Sequence, residues 1–184
     1  MSRRSLAEKV LDLTGALRKI PHAFGGALAL AYYAEPRATV DIDLNVFVAA
    51  DRFPDVADPL AVLGVAIGGS ETAETVRRDG QGRVLWETTP IDMFFAHDPF
   101  HRAAEAGRQT VPFGESTIPI LGPEHLIVCK VVFNRPKDWV DIDAMLELGT
   151  SVDASEVLRW VGRIAGDEDA RYERIAAVLT RPPR

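Results

Sequence analysis

The chain has 184 residues, 47% of them hydrophobic and 26% charged, with a formal net charge of −6. That balance belongs to a globular protein long enough to bury its own core. It argues against a general nucleic-acid coat, whose affinity needs excess positive charge, and the single cysteine, Cys129, excludes both an intrachain disulfide and a cysteine-built zinc cluster.

The opening run MSRRSLAEKVLDL carries charges where a signal peptide needs an apolar block. Residues 20–34 form the longest membrane-like stretch, but Pro21, His22 and a glycine pair interrupt it, and it is shorter than the roughly 20 apolar residues a bilayer requires. A cytoplasmic protein without membrane association is expected.

Taken in order, residues 5–19 predict an amphipathic helix, because Leu6, Val10, Leu13 and Leu17 recur at helical spacing. Residues 20–24 predict a short strand, broken by Gly25-Gly26, with a helix over 27–34 that ends at Glu35-Pro36. A strand rich in β-branched residues is expected over 40–48, with Asp41 and Asp43 near its start, and a helix over 54–63. Asp79-Gly80-Gln81-Gly82 is expected to turn between strands at 75–78 and 83–88, and Gly68-Gly69-Ser70 to lie in a loop. A strand over 91–96 precedes a helix over 99–106, with Asp98 as its cap and Pro99 at its first position. Short strands are expected at 110–113 and 117–120. Beyond Leu121 the pattern is helical throughout: 123–133, 137–148, 154–164 and 168–179. The fold class is therefore α+β. Residues 1–122 are expected to form a sheet core and 123–184 a helical part packed on it as one unit.

Asp41 and Asp43 lie two apart on a strand, so both carboxylates face the same way. Two like charges side by side are costly unless a cation joins them. Hard oxygen donors at this spacing suit Mg²⁺ or Mn²⁺. The plainer alternative is a strand end facing water. Gly25-Gly26 stands between a strand and a helix, where bare backbone and free N–H groups can meet a phosphate; a ligand-free tight turn is its alternative. Asp92 is the only charge in the apolar run PIDMFF and is a candidate third carboxylate.

These residues resemble the nucleotidyltransferase superfamily with the DNA polymerase β-like fold: a Gly-[Gly/Ser] turn, an Asp-x-Asp strand, and a third Asp on a later strand. GGALAL…EPRATVDIDL, with Arg37 and Thr39 before the aspartates, is similar to the minimal AbiEii/AbiGii-toxin nucleotidyltransferases. So is PEHLIVCKVVFNRPKDWVDIDAML, with Lys130, Lys137, Asp138 and Asp141 at the matching positions. The resemblance runs from about Phe24 to Leu146 and implies a mixed sheet flanked by helices, with a C-terminal helical bundle. Position 26 carries Gly where the wider superfamily often has Ser.

The resemblance implies that Asp41, Asp43 and Asp92 bind the metal, and that Asp92 also helps deprotonate an acceptor hydroxyl. Gly25 and Gly26 would contact phosphates. Arg37, Thr39, Lys130, Lys137, Asp138 and Asp141 would complete the nucleotide site, Asp141 orienting Lys137. It implies NMP transfer from an NTP to a hydroxyl, with pyrophosphate release. The acceptor would be an RNA or tRNA 3′ end, a protein or a small molecule, and an antitoxin is a partner to expect. A short chain with few walls around its site also fits a homodimer. The competing reading is a non-catalytic nucleotide sensor or partner-binding protein on the same scaffold.

Simpler explanations serve other residues. Lys130, apolar on nearly every side, could bury its stem and wet its tip. Arg37 could pair with Glu35 or Asp41. His97 and His101 read as a cap neighbour and a surface histidine rather than a zinc pair, and Trp86, Trp139 and Trp160 as core. Six basic residues precede Val40 (Arg3, Arg4, Lys9, Arg18, Lys19, Arg37) against three acidic ones, a cluster that could face a nucleotide.

Overall fold

The computed structural model describes residues 4–181. The chain divides into two units: residues 1–28 with 38–121, and residues 29–37 with 122–184.

The first unit carries a six-stranded sheet in the order β3-β4-β2-β1-β6-β5. Its strands are β1 (His22–Phe24), β2 (Ile42–Ala49), β3 (Gln81–Trp86), β4 (Thr89–Ala96), β5 (Gln109–Phe113) and β6 (Ser116–Ile120). The sheet is mixed: β2 pairs parallel to β4 and β1 parallel to β6, while the other pairs are antiparallel. Central β2 is buried along most of its length, which explains why its sequence is a near-continuous apolar run rather than an alternation. Ile42, Leu44, Val46, Ile91, Met93 and Phe95 are fully buried at its heart.

Helix α1 (Leu6–Ala16) starts at Ser5, whose hydroxyl and Glu8 form a reciprocal capping box. Val10 and Leu13 face inward from it, as their spacing predicts, and Leu17 is buried just beyond its end. Lys9 is also inside, only 1% exposed. Its ammonium donates to the Trp86 carbonyl (3.1 Å) and the Thr89 hydroxyl (2.9 Å), and pairs with Glu87 (3.0 Å). The first helix thus grips the turn between β3 and β4. Helix α2 (Gly26–Leu30) has five residues, shorter than the 27–34 expected, because the chain tightens into turns after Leu30. A 3₁₀ turn (Ala50–Arg52) leads into α3 (Phe53–Val62).

Residues 68–82 depart from expectation. Residues 75–78 are not a strand but the last part of helix α4 (Ser70–Asp79), which begins at Gly69, so the glycine cluster does open a helix. Gly80, at φ 67°, is its left-handed C-cap, and β3 begins at the next residue. Only Val76 of α4 is buried, so apolar periodicity had nothing to reveal there. The true turn of the hairpin is Glu87-Thr88. Helix α5 (Pro99–Ala106) begins at Asp98 as expected, with His101 completing its capping box.

The second unit contains α6 (Pro123–Phe133), α7 (Pro136–Glu147), α8 (Ala154–Ala165) and α9 (Ala170–Leu179). Residues 29–37 group with these helices rather than with the sheet. Leu126, Ile127, Val131, Trp139, Ile142, Met145, Val157 and Trp160 form its core. Asn134 turns the chain in the left-handed region (φ 55°), and its side chain accepts from the Trp139 indole N–H at 2.8 Å. All three tryptophans are buried, as expected. No described helix is long and apolar enough to cross a membrane.

Candidate active site

The candidate residues fall into two groups, one in each unit. Gly25, Gly26, Thr39, Asp41, Asp43 and Asp92 lie in the sheet unit; Arg37, Lys130, Lys137, Asp138 and Asp141 lie in the helical unit.

In the sheet unit, parallel pairing of β2 with β4 sets Asp43 directly beside Asp92. Antiparallel pairing of β3 with β4 sets Arg83 directly opposite Asp92. Arg83, Asp92 and Asp43 therefore form one rung across three adjacent strands. Arg83 Nε donates to Asp92 Oδ1 at 2.6 Å and Nη2 to Oδ2 at 2.7 Å, a two-pronged ion pair. Those hydrogen bonds and the charge of Asp92 raise the Arg83 guanidinium above its ordinary value, and Asp41 and Asp43 add smaller contributions of the same sign. One cation thus lies in the field of all three carboxylates.

Asp41 lies just before β2 rather than on it, half-buried. The Thr39 hydroxyl donates to its Oδ1 at 2.5 Å and accepts from its backbone N–H at 3.4 Å, which fixes the carboxylate's approach to the strand. Asp43 packs over the glycine turn. Gly26 adopts φ 51°, and a Cβ there would overlap Asp43 Oδ2; a Cβ on Gly25 would meet Asn45 Nδ2 at 2.8 Å. Both glycines make room for side chains of β2, a role the sequence reading did not foresee. The five-residue α2 is too short for its dipole to be a strong attraction for phosphate.

Among the described residues, no three His, Cys, Asp or Glu side chains converge as a ready metal cage. The donor set still fits a hard divalent cation. It is all oxygen, with Asp43 and Asp92 in register on paired strands and Asp41 just ahead of β2.

The helical unit uses its charges differently. Lys130 is 4% exposed and Asp141 5%, with Nζ donating to Oδ2 at 2.6 Å. Lys130 therefore does not wet its tip. Arg37 Nε and Nη2 donate to the two Asp141 oxygens, each at 3.1 Å, so its partner is Asp141 and not Glu35 or Asp41. Burial pushes the Asp141 carboxyl up, but hydrogen bonds and charge from Arg37 and Lys130 more than offset this and hold it below its usual range. Asp141 is engaged by Lys130 and Arg37, where the sequence reading had it orienting Lys137. Asp138 is fully buried and accepts from the Arg135 backbone N–H (3.0 Å) and guanidinium (2.7 Å), closing the first turn of α7. Lys137 is exposed in that turn.

Of the basic residues before Val40, Arg4 pairs with Asp12, Lys9 is buried and Arg37 is held by Asp141, while Arg18 and Lys19 are exposed; Arg3 lies outside the described residues. Arg83 escaped the sequence reading. The observed turn at Glu87-Thr88 brings it opposite Asp92, whereas strands at 83–88 and 91–96 leave the connection at 89–90 and Arg83 out of that register.

Residues 16–182 match the family described as the nucleotidyl transferase AbiEii toxin of a type IV TA system. No curated protein matches the chain. Among solved structures, the solution structure of the antibiotic-resistance factor ANT(2'')-Ia is similar, with a TM-score of 0.60 and 16% identity over 94% of each chain. An antigenic nucleotidyltransferase-like protein from Paracoccidioides brasiliensis gives 0.54 and 15%, covering 97% of this chain and 94% of that one. The crystal structure of ANT(2'')-Ia in complex with adenylyl-2''-tobramycin gives 0.52 and 16%, covering 95% and 97%. At these identities the likeness is one of fold, the polymerase β-like nucleotidyltransferase fold.

Proposed function

The chain belongs to the AbiEii nucleotidyltransferase family, and from that premise we propose that it transfers an NMP from an NTP to a hydroxyl acceptor and releases pyrophosphate. The observation that supports this most is the rung that joins Asp43 to Asp92 across β2 and β4, with Asp41 two residues ahead on the same chain. Asp41, Asp43 and Asp92 would hold Mg²⁺ or Mn²⁺, which when bound neutralises the triphosphate and the departing pyrophosphate.

The acceptor oxygen attacks the α-phosphorus, the bond to the bridging oxygen of the β-phosphate breaks, and pyrophosphate leaves. The Asp92 carboxylate takes the hydroxyl proton. Gly26 keeps the carboxylate of Asp43 seated, and Thr39 restrains that of Asp41, so neither must be ordered during the reaction. Gly25 and Gly26 would contact the phosphates, and in the helical unit Lys137 is exposed. Asp141 holds Arg37 and Lys130 in one network, and Asp138 supports the first turn of α7. The acceptor class is an RNA or tRNA 3′ end, a protein hydroxyl or a small molecule, and the partner is an antitoxin.

The test pairs binding with turnover. Each of ATP, CTP, GTP and UTP is screened for thermal stabilisation with and without Mg²⁺. At about 100 times its dissociation constant the donor should add roughly 2.7 kcal/mol. That nucleotide, radiolabelled, is then offered to RNA, protein and small-molecule acceptors while pyrophosphate is followed. Magnesium-dependent stabilisation and label transfer, both lost in Asp43→Asn, are expected. Folded protein that neither binds a nucleotide nor releases pyrophosphate with any acceptor would overturn the proposal.

A further inference from the structure

The ion pair between Arg83 and Asp92 has an unusual position for a surface contact. It stands at the end of the rung that carries the candidate metal-binding carboxylates, on the strand next to Asp92. Its two ends differ: the Arg83 side chain is 64% exposed and that of Asp92 19%. The acid is held in the sheet while the base reaches it from water. Both Asp92 oxygens are engaged, at 2.6 and 2.7 Å. A divalent cation therefore cannot take Asp92 as a ligand in the direction the guanidinium occupies without displacing it.

The strength of the contact suits displacement. An ion pair with one end in water contributes little net stability, because solvent screens it and a long side chain must be ordered to make it. A carboxylate left beside Asp43 and Asp41 with no cation would be repelled by both. Arg83 relieves that repulsion at small cost, and its planar fork holds the Asp92 carboxylate in a single orientation. The backbone register, fixed by the hairpin, keeps the arginine close after release.

We propose that Arg83 is a displaceable counter-ion of Asp92, which holds that carboxylate in place between turnovers and yields it to the divalent cation that arrives with the nucleotide. Arg83 is thus a positioning residue that sets the threshold of metal binding. The inference rests on the reading of Asp41, Asp43 and Asp92 as metal ligands.

The test is a Mn²⁺ titration, read as loss of the free-ion electron paramagnetic resonance signal. It uses wild type, Arg83→Gln, Arg83→Lys, Asp92→Asn, the double variant Arg83→Gln/Asp92→Asn, and Asp43→Asn. Arg83 is exposed on an edge strand, and circular dichroism is to be used first to check that each variant is folded. Arg83→Gln should bind Mn²⁺ about threefold to tenfold more tightly than wild type at low salt, the range that losing one exposed charge pair and one nearby positive charge allows. Arg83→Lys, which keeps the charge but loses the fork, should fall between. The gain should shrink at high ionic strength and vanish in the Asp92→Asn background, neither of which a merely structural role would produce. Unchanged or weaker Mn²⁺ binding by Arg83→Gln, with binding still lost in Asp43→Asn, would overturn the role of Arg83 alone. Mn²⁺ binding indifferent to Asp43→Asn would overturn the metal assignment, and this inference with it.

Discussion

Each unit of the chain contains an acid–base cluster, and the two are built to opposite ends. In the helical unit, Asp141 and Lys130 are sealed from water and meet at 2.6 Å, with Arg37 closing the outer side. In the sheet unit, Asp41, Asp43 and Asp92 are half-buried and their basic neighbour, Arg83, stands in solvent. The buried pair is too costly to separate, because each charge would be left without water or partner. The open one can exchange partners with little penalty. Permanence belongs to the scaffold and exchangeability to the chemistry.

The comparison can be tested from its strongest contrast downward. Asp43→Asn should reduce nucleotide transfer by about a hundredfold to a thousandfold, as when a preorganised charge contact is removed, and leave the melting temperature near that of wild type. A comparable loss of stability would show that the open cluster is structural after all. Asp141→Asn should act the other way, costing about 3–5 kcal/mol in a denaturant titration because Lys130 is left buried without its counter-charge. The double variant Lys130→Met/Asp141→Leu should be less harmful than Asp141→Asn alone, since it removes both charges together. Equal losses would refute the burial argument.

Gly26→Ala probes the seat beneath Asp43. The new methyl group would overlap the carboxylate, and φ 51° is unfavourable for alanine. A loss of about 1–3 kcal/mol is expected from the backbone alone, with a further fall in transfer as Asp43 is pushed aside. Full activity in a stable variant would remove Gly26 from the site. Arg37→Ala should cost less than about 1 kcal/mol, because its end of the Asp141 network is exposed.

Acidification gives the smallest and most distributed effect. Burial lowers the proton affinity of His22 and His125, one in each unit, so the folded chain resists protons that the unfolded chain accepts at about pH 6.5. Stability should therefore fall as the pH drops below that point. Asp141, held below its ordinary value, keeps its contribution above about pH 4 and loses it only as the pH falls further. His22→Asn, which retains a donor for the Ile20 carbonyl but does not titrate, should reduce the slope of melting temperature between pH 7 and 5. An unaltered slope would assign the effect to other groups.

What could be read from the sequence follows the range of the interactions involved. Strands and helices with an apolar period were legible, as was the α+β class, because burial writes itself into spacing. Asp43 and Asp92 were visible because a charge in an apolar strand stands out, and Asp41 by its spacing from Asp43. Helix α4 was not, since its ten residues bury only Val76 and its ends are marked by glycines alone. The partners of the charges were least legible. Arg37 and Asp141 are 104 residues apart, and nothing local links them. Arg83 and Asp92 are nine apart, but their meeting depends on the strands turning at 87–88 rather than at 89–90. A candidate residue can thus be found by its chemistry, while the neighbour that tunes it is found only through the fold.

Lys9 has a consequence for how the chain reaches that fold. Its contacts with Trp86 and Thr89 close spans of 77 and 80 residues. Closing so long a loop carries an entropic cost that local helices and hairpins avoid, and such contacts slow folding. The first helix can form early, yet its lysine finds its three oxygens only when the β3–β4 hairpin arrives. The hairpin that presents Arg83 and Asp92 is therefore anchored from the far end of the sequence, by a contact that local structure alone cannot supply.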